Sequence, residues 1–136
     1  MARGDVVRVQ LPRPDSSNPT RLQRGTRPAV IVQSDKYPSA SVVLIVPATT
    51  NLDAMNFPGS VLVKPDGTNG LTQSSVFMVH QLGAVELSII ASKIGHLSSA
   101  DIEAVEQSII RLVDLGVSPP AALPSSINDE KDSNAG

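Results

Sequence analysis

Cysteine and tryptophan are absent from the 136-residue chain, and its only aromatic residues are Tyr37, Phe57 and Phe77. Without cysteine there can be no disulfide, no thiolate nucleophile and no cysteine–zinc site. So few rings exclude the stacking platforms with which many single-strand-binding modules hold successive bases. A nucleic-acid ligand would have to be held by charge, hydrogen bonds and shape. Long apolar segments are missing too, and the N-terminus runs at once into Arg3, Asp5 and Arg8. Neither a signal peptide nor a membrane span is therefore expected, and the chain reads as cytoplasmic. There is no phosphate-cradling glycine motif, no HExxH and no G-x-S-x-G elbow. His80, His96 and the scattered acids lack metal-ligand spacing, so neither a metal nor a cofactor is expected. The "RGD" at 3–5 reads as a glycine ahead of a first strand rather than as an adhesion motif.

What is present is an uneven charge. The net charge of −2 conceals a basic first quarter: residues 1–36 carry seven arginines and lysines against three aspartates, net +4, and the remainder carries four against ten acids, net −6. A localised positive field of this kind suits an anionic ligand.

The length fits one compact domain, expected over 1–116, followed by a proline-, serine- and charge-rich tail at 117–136 that has almost nothing to bury and reads as disordered. Strands are expected at 5–11, 28–33, 41–47, 60–65, 74–82 and 93–97, from β-branched runs bounded by turn residues. "PRPDSSNPTRLQRGT", with three prolines and a glycine, reads as a long loop. The single helix signal comes last. Ser98 or Ser99 offers an N-cap, Ile102, Val105, Ile109 and Leu112 follow a helical stripe, and Gly116 stands where a glycine would stop it. The sum is a mainly β domain with one C-terminal α-helix, in which short, closely punctuated strands favour a small antiparallel barrel over an open sheet.

Polar residues at the expected strand ends are the candidates for chemistry: Arg27, Thr49, Thr50, Asn51, His80 and Gln81. A guanidinium, a hydroxyl pair and an imidazole on one rim suit a phosphodiester. Arginine grips phosphate oxygens in a fork, threonine hydroxyls donate to them, and histidine can move a proton. RNA would bring its own nucleophile, the 2′-OH. Structural readings stand beside these: Arg27 could pair with Asp35 or Asp5, the threonines are good strand formers, and His80 could be a core histidine, as could His96. The residues alone carry the inference as far as a small β-rich anion-binding protein.

The ordered set "RGDVVRVQL", "QRGTRPAVIVQSD", "VVLIVPATTN", "FPGSVLV", "NGLTQSSVFMVHQ" and "KIGHLSSADIEAVEQSI" resembles the MazF/PemK family of toxin–antitoxin ribonucleases over about residues 3–116. The resemblance implies an SH3-like barrel of the MazF/CcdB type, assembled as a homodimer. It implies sequence-selective, metal-independent cleavage of single-stranded mRNA by 2′-OH attack, leaving a 2′,3′-cyclic phosphate and a 5′-OH. It further implies a cognate antitoxin. By position, Arg27 matches the family's catalytic arginine and Thr49 its catalytic hydroxyl residue, while Gln23, Gly25 and Gln81 match binding positions. Arg24, beside Gln23, is expected to contact RNA as well. Three positions depart from the pattern: Leu22 and His80 stand where acids are usual, and Gly83 replaces an arginine. His80 is the residue that could take over proton transfer. The alternative is a barrel without catalysis, either a gyrase-directed poison of the CcdB type or a degenerate RNA-binding member.

Overall fold

The computed structural model describes residues 1–15, 18–37 and 41–114, with 11–24 described through their backbone alone. The expected tail at 117–136 lies outside the described residues, as does Gly116. Seven strands and one helix are found among the described residues: β1 (Asp5–Asp15), β2 (Asn18–Ile31), β3 (Val42–Thr49), β4 (Ser60–Val63), β5 (Ser75–Met78), β6 (Gly83–Glu86), β7 (Ile90–His96) and α1 (Ser99–Val113). Every pairing is antiparallel, in the order β4-β5-β3-β2-β1-β7, with β6 also on β3. The mainly β, barrel-like architecture with a C-terminal helix is as the sequence implies.

The β1–β2–β3 layer is buried on both faces, which is why its strands read as near-continuous β-branched runs. On one face Val6, Val30, Val46 and Ala48 join Val63, Phe77, Val79, Leu97 and Val105. On the other, Val7, Val9, Ala29, Ile31, Val43 and Ile45 are covered by Val85, Leu87, Ile89 and Ile90. Helix α1 seals the first face through Ile102, Val105 and Ile109. Its N-terminus is capped by the Ser98 hydroxyl, which accepts from Asp101 N–H at 3.2 Å. It ends at Asp114, in the left-handed conformation (φ 53°), ahead of the glycine expected to stop it. Aspartate is one of the few residues that tolerate this region.

Three sequence expectations change. The segment read as a loop continues β1 and β2 into a long hairpin, paired from Val6↔Val30 out to Pro14↔Leu22. Its prolines are tolerated because Pro12, Pro14 and Pro28 all fall at one parity of this ladder, Pro28 opposite Arg8. That parity can exchange no hydrogen bonds across the pair, so no ladder donor is lost. Among the described residues β7 pairs β1 only as far as Val9↔Ile90.

The strand expected at 74–82 stops at Met78, and Val79–Gln81 forms a short 3-10 turn. Phe77 lies opposite Ala48 and Gly83 opposite Ile45. Six steps on this chain thus run against three on β3, and three residues are looped out of the ladder. The chain then resumes as β6, which the sequence reading did not anticipate.

Candidate functional site

β3 changes partners near its C-terminal end. On one edge it pairs with β2 only through Ile31↔Ile45, Val30↔Val46 and Ala29↔Pro47. On its other edge it continues with β5 through Ala48↔Phe77 and Thr49↔Val76. β2 and β3 therefore part just where Arg27 and Thr49 come level, and a cleft of about 290 Å³ opens there. Arg8, Thr26, Arg27 and Pro28 line one side, Thr49 and Thr50 the other, and Leu71, Thr72, Gln73 and Ser75 close it.

The closing loop is held by the turn ahead of it. The Asn69 side chain, fully buried, donates to Lys64 C=O at 2.9 Å and accepts from the Asp66 and Leu71 N–H groups. Asp66 accepts from the Thr68 and Asn69 N–H groups, each at 2.8 Å, which holds its carboxyl below the usual range. Gly70 has φ +73°, and a Cβ there would stand 2.0 Å from Ile94 C=O. The turn is thus clamped against β7, and Leu71–Ser75 leaves it in a set direction.

The cleft is electropositive. Among the described residues none that line it is acidic, and neither Arg8 nor Arg27 has an ion pair. The two partners that the sequence offered Arg27 are engaged elsewhere. Asp35 accepts from Arg3 N–H at 3.1 Å. Asp5 is 3 % exposed, accepts from Ala2 N–H at 2.8 Å, and pairs with His96 Nδ1 at 2.9 Å and Lys93 Nζ at 3.3 Å. Burial pushes the Asp5 carboxyl up, but the Ala2 N–H, His96 and Lys93 outweigh it and hold the pKa below the ordinary value of 3.8. His96 is thereby a structural partner of Asp5. Thr49 Oγ1 accepts from Asn51 N–H at 3.1 Å, which leaves its O–H proton free to donate into the cleft. Two guanidinia among hydroxyl and amide donors, with no carboxylate, make a receptor for an oxyanion.

Arg27, Thr49 and Thr50 are thus brought together. Asn51 is not a lining residue; its side chain caps the 3-10 turn Leu52–Asn56, accepting from Asp53 N–H at 3.0 Å. His80 also stands outside the lining, in the looped-out turn. Its ring stacks on Phe57 at 4.8 Å between centroids, and its Nδ1 is enclosed without a hydrogen-bond partner. Gln81, in the same turn, is exposed, and Gly25 lies opposite Leu11 on the hairpin. Gln23 and Arg24 lie opposite Arg13 and Pro12, and their side chains fall outside the described residues. Arg8, Thr26, Thr72, Gln73 and Ser75 belong to the cleft and were not anticipated. For Arg8 the basic N-terminal quarter was the one available signal; for the others there was none.

Residues 2–113 match the family described as PemK-like, MazF-like toxin of type II toxin–antitoxin system. A probable endoribonuclease MazF from Mycolicibacterium smegmatis is 28% identical over 92 residues, 67% of this chain and 81% of that protein. The fold is similar to that of the Mycobacterium tuberculosis toxin MazF-mt6, at TM-score 0.62 and 23% identity, covering 83% of this chain and 99% of that one. It is also similar to MazE–MazF from Deinococcus radiodurans, at TM-score 0.65 and 18% identity, covering 85% and 97%. A further similar structure is an endoribonuclease in complex with its cognate antitoxin from a mycobacterial species, at TM-score 0.60 and 18% identity, covering 86% and 96%.

Proposed function

The chain belongs to the PemK-like, MazF-like toxins of type II toxin–antitoxin systems, and we propose that it is an endoribonuclease that cuts single-stranded mRNA at selected sequences without a metal ion. The observation that carries this reading is the cleft, with no acid among its described lining residues, in which Arg27 and Thr49 come level.

A phosphodiester seated there would place its non-bridging oxygens against the Arg27 guanidinium and the Thr49 hydroxyl. The ribose 2′-oxygen attacks the adjacent phosphorus and the bond to the 5′-oxygen breaks, the departing 5′-oxygen taking a proton from water, which leaves a 2′,3′-cyclic phosphate and a 5′-hydroxyl. Negative charge grows on the equatorial oxygens during attack, and Arg27 stabilises it because no acid among the described residues pairs with its guanidinium. Thr49 is pre-oriented by the Asn51 N–H and donates to the same group. The cleft presents no carboxylate or imidazole among the described residues, so the 2′-hydroxyl proton leaves to water. His80 then serves the packing of Phe57 rather than proton transfer. DNA lacks the 2′-hydroxyl and is not cut.

In the cell the protein would be a cytoplasmic homodimer held in check by a cognate antitoxin, as its family membership suggests. Among the described residues no helix is long and apolar enough to cross a membrane. Leu52, Met55 and Phe57 are 54%, 44% and 55% exposed on one short segment, apolar area that a second subunit would cover.

The test is incubation of purified protein with single-stranded RNA in EDTA, followed by end-group analysis. Cyclic phosphate and 5′-hydroxyl termini are expected, with DNA of the same sequence intact. If every RNA tested survives, and expression instead arrests growth with DNA breaks, the non-catalytic gyrase-directed alternative replaces this reading.

A further inference from the structure

Resting on the endoribonuclease reading, we propose that Arg8 is a positioning residue that holds a phosphate next to the scissile one. Arg8 is half-buried and lines the same cleft as Arg27, which has no acidic lining residue among the described residues. The two cations do not face the same point. Arg8 lies opposite Pro28 in the β1–β2 ladder, whereas Arg27 lies opposite Val9; successive positions face opposite sides of a strand. Continuing the β2–β3 register places Arg27 with Thr49 on one face, and Arg8 with Pro28 and Thr50 on the other. The cleft wraps the parted strand ends and so receives both.

Two guanidinia on one cleft, with no acid among its described lining residues, present positive charge at two separate points, and a ligand with a single charge meets only one of them. A ligand with two successive negative charges meets both cations. A single RNA strand offers that arrangement, one charge per backbone linkage. Arg27 takes the linkage that reacts and Arg8 a flanking one. Arg8 then acts on substrate alignment and register along the strand, not on the reacting atoms, and supplies binding that a one-linkage substrate cannot use.

The experiment neutralises one linkage at a time. Oligoribonucleotides carrying a single methylphosphonate on either side of the cleavage site are cut by wild-type protein, Arg8→Gln and Arg8→Lys. With wild type, one flanking methylphosphonate should lower kcat/KM about tenfold, the usual size of a lost charge-assisted contact. With Arg8→Gln that penalty should vanish against an all-phosphate reference already lowered by the same factor, and Arg8→Lys should keep part of it. Equal penalties in wild type and Arg8→Gln overturn the proposal, as does a wild type indifferent to every flanking methylphosphonate. Binding to an oligonucleotide with a 2′-deoxy residue at the cut site gives a second measure that does not need cleavage. There Arg8→Gln should flatten the slope of log affinity against log salt by about 0.7, the share of one phosphate contact on a single strand; an unchanged slope overturns the proposal. Wild type that binds with the expected slope difference but never cuts would sink the endoribonuclease reading and leave Arg8 as a phosphate contact.

Discussion

Arg27 and Thr49 stand level on two strands that have already parted, two positions past the last β2–β3 pair, Ala29↔Pro47. Had the pairing continued, their backbones would close the space between them. Because β3 is held by β5 on its far edge at Ala48 and Thr49, the gap stays open, with a guanidinium on one side and a hydroxyl on the other.

Arg27→Ala is expected to lower kcat for RNA cleavage by about 10²–10³, the effect of removing one preorganised donor to a developing oxyanion. Arg27→Lys should recover little of it, since an ammonium cannot reproduce the planar fork. Single-turnover cleavage with saturating protein separates this from weaker binding, and an unchanged melting temperature separates it from unfolding.

Thr49→Val keeps the shape and β-branching of the side chain and removes the hydroxyl. A loss of roughly tenfold or more in kcat is expected, with the Asn51 N–H left without its side-chain acceptor at a stability cost of about 1 kcal/mol. Thr49→Ser should keep most activity. Gel-resolved cleavage beside thermal melts of all three proteins reads both effects.

His80→Ala should leave the shape of the activity–pH profile as it is in wild type, because the ring packs on Phe57 outside the cleft lining. The variant should melt at a lower temperature through the lost contact. Disappearance of a limb from the profile between about pH 5 and 8, the window in which histidine ordinarily titrates, would return His80 to proton transfer.

Gly70→Ala is expected to destabilise the fold by more than about 1 kcal/mol. The backbone there is left-handed, and the added carbon would meet Ile94 C=O at 2.0 Å. Denaturant unfolding measures the loss. Since Gly70 directs Leu71–Ser75 into the cleft, kcat/KM for RNA should fall in the fraction that remains folded.

Asp5 makes stability depend on acid. Its folded pKa lies below the ordinary 3.8, so its contribution is fully present above that value and is lost as the pH falls through the lower folded one. Asp5→Asn should cost roughly 1–3 kcal/mol at neutral pH. The gap between the two melting curves should close as the pH drops below about 4. A gap that stays constant down to pH 2 would rule out the carboxylate as the source.

Local pattern was enough for the apolar strands around Val6, Val30 and Val46, for the Ser98 cap and the amphipathic stripe of α1, and for Arg27, Thr49 and Thr50 as candidates, since each is written in neighbouring residues. The hairpin through Pro12 and Pro14 was not legible. Proline and small polar residues signal a loop wherever parity is unknown, and parity is known only once Pro28 is seen opposite Arg8. The local setting of His80 was not legible for a related reason. Alternation along "VFMVHQL" assumes an unbroken strand, and the three-residue loop-out appears only when β5 and β6 are both registered on β3. Composition determined that any anionic ligand would be met by charge and hydrogen bonds rather than by rings. Tertiary structure alone decided which cations share a cleft, because that cleft opens where β2 and β3 part, and strand pairing joins residues that lie far apart along the chain.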